Sequence, residues 1–305
     1  MDIALSSLMG LYFFAYLCFS LLTKVAADPF GTLPLSVATA LGAWAAYLLG
    51  AGEWRRLRWL AITHHSPYTL RTYLLDVGLC ALGSAAILLA STVAYGLRGV
   101  SIVLPLTLMK AGTILLAPAH DAAEGVAIPP RAKWVVGLAL GGVLAGVAGR
   151  LDARDPAWSA ILCAAIYVSG YALKLRAVGK YRGSWDFFVA ETTLTLVVSL
   201  VGAVALCSWF LPHGSVLSWL PHPLLSACVG LASQCCGVGG GLILIRGGAR
   251  ATHSRLVPLS RCSSLLAGLT ASLLLGLFAA HPALALPPAE AVGALFLLAA
   301  LWIGR

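Results

Sequence analysis

The stretch "SIVLPLTLMKAG", residues 101–112, opens an apolar run that continues to Ala117 and contains a single charge, Lys110. A related start, "SRLVPLSRCSS" at 254–264, repeats the pattern S-x-x-x-P-L about 153 residues later. An apolar run of about 20 residues is the length that an α-helix needs to cross a bilayer. The stretch therefore indicates a membrane-spanning helix with a charge inside it, in a chain that repeats itself.

Composition places the whole chain in the membrane. Of its 305 residues, 60% are hydrophobic and 10% are charged, and the mean hydropathy is +0.92. Soluble domains carry about 25% charged residues, so too few polar residues are present to cover a water-facing surface. The net charge of +9 does not indicate nucleic-acid binding, because the bases fall between apolar runs and no aromatic residues alternate with them. We expect the lipid bilayer as partner, and no nucleic acid.

Ten apolar runs are long enough to be transmembrane helices, and their continuity excludes the alternating strands of a membrane barrel. The predicted spans are approximately 3–25, 33–51, 72–96, 99–119, 132–149, 156–174, 185–210, 222–246, 256–280 and 286–303.

The basic residues predict the orientation. If both termini are cytoplasmic, the outer loops hold four of the 20 Lys and Arg residues, namely Lys24, Arg98, Arg150 and Arg154. Lys110 lies within a span, and the remaining bases all fall on the inner side, as the positive-inside rule requires. We expect an integral protein of a bacterial inner (plasma) membrane.

Internal repetition divides the chain into two halves, 1–150 and 151–305. Besides S-x-x-x-P-L, "MDIALSS" at 1–7 matches "RDPAWSA" at 154–160, "VGL" recurs at 77–79 and 229–231, and both halves close with V-G…G-R. Each half contains five spans, and an odd number makes consecutive copies enter the membrane from opposite sides. The predicted fold is an all-α membrane protein with ten transmembrane helices as two inverted five-helix repeats, an architecture common among secondary transporters.

This layout resembles the drug/metabolite transporter superfamily, specifically its EamA-type ten-span members. The resemblance covers the whole chain in layout, and at residue level it rests on the short loop and Pro-containing helix start at 98–106 and again at 250–259. It implies alternating access through a cavity between the halves. In the family, spans three, four, eight and nine line that cavity, with contributions from spans one, two, six and seven.

Two charged residues within spans are the first candidates for substrate binding. Lys110 lies near the centre of its span, where a charge usually faces a cavity or a partner; the alternative is a lysine that reaches the membrane interface. Glu191, about six residues into span seven, could bind a cationic substrate or accept a coupling proton. Its structural alternative is a pair with Lys174 or Lys180.

Six further residues complete the candidate substrate-binding set. Arg261 could attract an anionic substrate or simply follow the positive-inside rule, and Gln234 lies in a Gly-rich run within span eight. The others are polar or aromatic side chains on these or neighbouring spans: Ser101, Thr107, Ser260 and Tyr95. Tyr12, Tyr167 and Tyr171 could stack on a substrate, but tyrosines near helix ends are more often interfacial anchors. We expect Asp76 to pair with Arg71.

Three functions remain open on the sequence alone. The favoured one is a secondary transporter of a small metabolite or amphiphile, with proton coupling as an option. The second is a flippase for a lipid-linked or phosphate-bearing amphiphile on the same fold. The third is an intramembrane enzyme that uses the neighbouring pair His120-Asp121 on an amphiphilic substrate. We expect no cofactor, no metal site and no catalytic constellation, and a homodimer is compatible with the sequence.

Overall fold

The computed structural model describes residues 5–54, 69–123, 125, 127, 130–147, 157–181, 184–211, 217, 221–246, 253–278 and 287–303. Within these ranges the chain forms helices and turns without strands. The ten α-helices are α1 (Leu5–Phe30), α2 (Thr32–Trp54), α3 (Leu70–Gly96), α4 (Val103–Ala123), α5 (Ala132–Val147), α6 (Ala157–Lys180), α7 (Trp185–Phe210), α8 (Pro223–Arg246), α9 (His253–Phe278) and α10 (Pro288–Ile303). The predicted ten helices are thus confirmed, each within a few residues of its expected position.

Seven of the described helices, α1, α3, α4, α6, α7, α8 and α9, are long and apolar enough to cross a membrane. Large apolar side chains on their outer faces are exposed, including Leu74, Val201 and Leu273. Such a surface is stable in contact with lipid and costly in water. The protein is therefore an integral membrane protein. The apolar parts of α2, α5 and α10 are shorter, 17 residues or fewer.

Local signals fix where several helices start. Thr69 and Ser184 are N-caps in extended conformation, and their hydroxyls accept hydrogen bonds from the backbone N–H groups of Thr72 and Phe187. Gly31, with a φ of +79°, makes the one-residue turn from α1 to α2, a backbone conformation that favours glycine.

Three helix pairs approach closely through glycines. A Cβ atom on Gly230 of α8 would lie 2.2 Å from the carbonyl carbon of Gly42 in α2. A Cβ on Gly83 of α3 would lie 2.4 Å from the carbonyl oxygen of Gly170 in α6, and Gly142 of α5 meets the backbone of Gly293 in α10 in the same way. Small residues at such crossings allow the backbones to pack directly, the usual means of helix association in membranes. These pairs form the three most extensive interfaces of the bundle.

Five bases that the sequence pattern assigned to loops lie within the membrane-length parts of α1, α3, α6 and α9: Lys24, Arg71, Lys174, Arg176 and Arg261. Eight of the bases used to predict the orientation lie outside the described residues: Arg55, Arg56, Arg58, Arg150, Arg154, Arg182, Arg250 and Arg305. The boundary between the two proposed halves lies outside them as well.

Polar bonds tie one end of α1 to the turn between α3 and α4. The Lys24 ammonium donates hydrogen bonds of 2.7 Å to the carbonyl oxygens of Leu97 and Val100. Thr32 at the start of α2 donates to the carbonyl of Gly96. At the start of α4, the Ser101 hydroxyl donates to the buried carboxylate of Glu290 from α10. The ends of α1, α2, α3 and α10 are thereby bonded together on this side of the bundle.

Candidate functional site

A cavity of about 130 Å³ lies among helices α1, α3, α6, α7, α8 and α9. Hydroxyls and charges line its polar parts, and apolar side chains such as Phe19, Ile87 and Leu196 line the remainder. Each of the first two helices comes from residues 1–150, and each of the other four from residues 151–305. An internal cavity with a few polar groups in apolar walls is the usual form of a small-molecule site.

One polar cluster of the cavity is an ion pair. The Lys174 ammonium lies 3.2 Å from Oε1 of Glu191, with side chains that are 13% and 5% exposed. The Ser84 hydroxyl donates to the same oxygen at 2.5 Å and accepts from Lys174 at 2.8 Å. Thr195 also donates to Oε1. Within the described chain these bonds all go to Oε1, which leaves Oε2 as the carboxylate oxygen without a protein donor.

The other polar cluster holds two cations among tyrosines. Arg261, 6% exposed, places Nη1 3.4 Å from the Tyr12 hydroxyl and 3.5 Å from the Tyr167 hydroxyl. Its guanidinium carbon lies 4.5 Å from the ring centre of Tyr171, a cation–π distance. Its Nε has no hydrogen-bond partner among the described residues.

Lys110 lies behind this wall of tyrosines and is fully buried. Its ammonium donates to the hydroxyls of Tyr16 at 2.9 Å and Tyr167 at 3.1 Å, and lies 4.5 Å from the Tyr16 ring centre. Tyr16 in turn shares a 2.5 Å hydrogen bond with Tyr95. Lys110 and Arg261 therefore reach the same hydroxyl, that of Tyr167, from α4 and α9.

The structure brings four of the eight candidate residues to the cavity wall: Glu191, Gln234, Ser260 and Arg261. Lys110 and Tyr95 contact the wall from behind through Tyr16. Ser101 lies at the bonded helix ends with Glu290, and Thr107 is buried on the face of α4 that approaches Gly146 of α5. The resemblance implied that span four lines the cavity, whereas α4 contributes from the second layer.

Two smaller expectations need correction. Asp76 does not pair with Arg71, which is exposed; it accepts hydrogen bonds from Lys180 and Tyr181. The reason is geometric, because Arg71 is five residues before Asp76 on α3 and projects from another side of the helix. Three tyrosines expected as interfacial anchors are instead buried within the bundle: Tyr12, Tyr167 and Tyr171.

The sequence reasoning missed two residues of the site. Lys174, counted among the loop bases, was one of the two partners considered for Glu191, and that pair is observed. Ser84 lies in an apolar run of α3 where a single hydroxyl gives no signal, and Tyr16 was not singled out. A signal was present for Tyr16: it lies four residues after Tyr12 on α1, so both rings share one helix face.

The comparisons with known proteins bear on the fold. No family model matches the chain, and no curated protein matches it. A solved structure described only as "Crystal structure of protein" superposes with a TM-score of 0.59 at 17% identity, covering 99% of this chain and 98% of that one. The arrangement of helices is therefore one that an experimentally determined protein shares over its full length.

Proposed function

We propose that this protein is a secondary transporter that moves a small metabolite or amphiphile by alternating access. In this proposal all ten helices cross the membrane, as two inverted repeats of five, and both termini are cytoplasmic. Reciprocal packing supports the repeats: α1 packs on α8 and α9 as α6 packs on α3 and α4, and α2 packs on α8 as α7 packs on α3. If five is added to the numbers of α1–α5 and subtracted from those of α6–α10, each of these contacts becomes its counterpart.

The observation that carries the proposal is the cavity itself. It holds an ion pair and a buried guanidinium inside a bundle whose outer faces are apolar, and charged groups within a membrane protein usually mark a substrate or ion pathway. Helices from both proposed repeats line it. In transporters built from inverted repeats, the substrate site lies where the repeats meet near the membrane midplane.

Glu191 is the proposed site of proton coupling. Its Oε1 already accepts bonds from Ser84, Lys174 and Thr195, and its Oε2 is the oxygen left for the cavity. One carboxylate oxygen is thereby left facing the cavity, where a proton could reach it. Loss or gain of that proton changes the charge beside Lys174, which gives the proton a way to bias the two states of the carrier.

The position of Lys110 favours a small substrate over a lipid-linked one. A flippase was the alternative in which a lipid head group reaches this lysine from the bilayer. The ammonium is fully buried and both of its described hydrogen bonds go to Tyr16 and Tyr167, so a head group would first have to displace that wall.

The test uses a single cysteine in the cavity. In a chain whose eight cysteines are replaced by serine, Gly237→Cys introduces a thiol on the cavity wall, where an added Cβ meets no atom within 4 Å. Right-side-out and inside-out vesicles are treated with a membrane-impermeant methanethiosulfonate. A transporter that alternates exposes the introduced thiol to the reagent in both preparations.

The matched control is Gly10→Cys on α1, an exposed position within the membrane-length part of that helix where an added Cβ also meets nothing within 4 Å. Lipid should protect this thiol from the aqueous reagent in both preparations. Labelling of the cavity thiol from one side alone would contradict alternating access and would favour a one-sided enzyme or receptor.

A further inference from the structure

The two cations on the tyrosine side of the cavity have no carboxylate partner. Among the described residues, no Asp or Glu oxygen lies within 4.0 Å of Lys110 or Arg261; the cavity carboxylate, Glu191, is paired with Lys174. The ion pair of the first cluster is electrically neutral. Arg261 therefore adds to the cavity wall a positive charge that no described carboxylate balances, and the Lys110 amine lies behind it.

The protein groups around these cations are too weak to balance them. The hydrogen-bond acceptors are neutral phenol oxygens, and the contacts of Arg261 to Tyr12 and Tyr167 are long, at 3.4 and 3.5 Å. Burying a charge costs several kcal/mol unless a counter-charge and well-formed hydrogen bonds compensate it. A site that holds such a charge at the edge of a cavity, as Arg261 does here, is incomplete without an anion.

Arg261 is the group that an anion would contact. It lines the cavity, and its Nε–H has no hydrogen-bond partner in the described chain although the side chain is 94% buried, since 6% is exposed. A guanidinium presents its N–H groups as a fork that matches two oxygens of a carboxylate, phosphate or sulfonate. The ring of Tyr171 contacts the guanidinium from one side, with its centre 4.5 Å from the guanidinium carbon.

We infer that the substrate of this cavity is an organic anion whose acidic group binds Arg261. Lys110 acts as a positioning residue, because its hydrogen bonds to Tyr16 and Tyr167 orient the hydroxyls that face the anion. The inference rests on the proposed function, since it names the substrate class of the same cavity. The apolar wall, with Phe19, Ile87 and Leu196, fits the uncharged part of an amphiphilic anion.

The experiment compares an anionic and a cationic reagent of similar size at the Gly237→Cys position described above. The two probes are sulfonatoethyl and trimethylammonioethyl methanethiosulfonate, and the ratio of their rates is normalised to the ratio at Ala127→Cys, an exposed link position. A unit charge about 10 Å away in an effective dielectric of 20 raises the local concentration of an anion roughly tenfold and lowers that of a cation, so the ratio of the two rates changes by at least about tenfold. We expect the normalised ratio to favour the anionic reagent by about tenfold or more.

The variants assign the effect to the arginine. Arg261→Gln should lower the normalised ratio about tenfold, and Arg261→Lys, which keeps the charge, should restore most of it. Equal rates, or a faster cationic reagent, at position 237 in the otherwise unchanged chain would overturn the inference, so the result does not depend on whether an arginine variant folds.

The outcome is separable from that of the proposed function. Labelling from both sides without preference for the anion would leave transport standing and remove the substrate class. Labelling from one side with a clear preference for the anion would leave an anion-binding protein that does not alternate.

Discussion

The pair of Lys174 and Glu191 gives the sharpest energetic prediction. Two unit charges 3.2 Å apart interact with about 5 kcal/mol at an effective dielectric of 20, and side chains only 13% and 5% exposed lose little of this to solvent screening. Removing one partner of a buried pair leaves an uncompensated charge and costs about 3–5 kcal/mol. Removing both partners leaves no uncompensated charge.

A double-mutant cycle measures this coupling. We expect Glu191→Gln and Lys174→Met each to lower the free energy of unfolding by about 3 kcal/mol, and the double variant to lose no more than either single variant. The assay is SDS-induced unfolding in detergent micelles, followed by circular dichroism. Asp76 and Lys180 provide the control cycle, because their ions are 3.1 Å apart but the lysine side chain is 34% exposed. Their coupling should be below about 1 kcal/mol.

Additive losses in the Lys174 and Glu191 cycle would refute this reasoning, since they would mean that the two charges do not sense each other. Equal coupling in both cycles would also contradict it, because burial would then have no effect on the strength of the pair.

Three further predictions test the packing and the tyrosine cluster. Gly230→Ala should lower the free energy of unfolding by about 1–3 kcal/mol, because the new Cβ meets the backbone of α2, whereas Gly237→Ala on the same helix should leave it unchanged or raise it by up to about 1 kcal/mol. Tyr16→Phe removes a hydroxyl that is bonded to Lys110 and Tyr95, and should lower the free energy of unfolding by about 1–3 kcal/mol. Tyr73→Phe is the control, because the buried Tyr73 hydroxyl has no described partner and its removal should not change the free energy of unfolding measurably. Equal losses in the two variants would count against the hydrogen-bonded network. Lys110→Met should leave the free energy of unfolding unchanged or higher, because a buried amine without a carboxylate partner is replaced by an apolar side chain of similar length. It should also lower the normalised ratio at position 237, because the Tyr16 and Tyr167 hydroxyls lose the group that orients them. SDS unfolding and the reagent rates measure the two effects separately, and loss of the fold would show that the lysine is structural.

Helix positions were predictable because hydrophobicity is a local property. A run such as 185–210 is apolar along its whole length, and α7 occupies those residues. The side chains that face the cavity were harder to predict for the same reason. A helix that is apolar on the lipid side and apolar in the bundle gives no contrast between its faces, so nothing distinguishes the inward Ser84 of α3 from its neighbours.

The contacts of the charged residues depended on tertiary structure. Glu191 was recognised as unusual because a charge in an apolar run is rare, and Arg261 as a base near the start of span nine; both line the cavity. Spacing could not choose between Lys174 and Lys180 as the partner of Glu191, and it could not identify Tyr12, which is 249 residues from Arg261. The packing of both α6 and α7 on α3, and of α9 on α1, brings these groups together.

The bonds of Lys24 to the turn after α3 bear on the speed of the proposed carrier cycle. Its ammonium has to leave two carbonyl oxygens before the tip of α1 can separate from that turn, and each hydrogen bond to a charged group contributes about 1.5–3 kcal/mol. That separation is therefore an activated event with a barrier of its own. In the proposed carrier, these two bonds make any step that separates α1 from this turn slower than a step that leaves them intact.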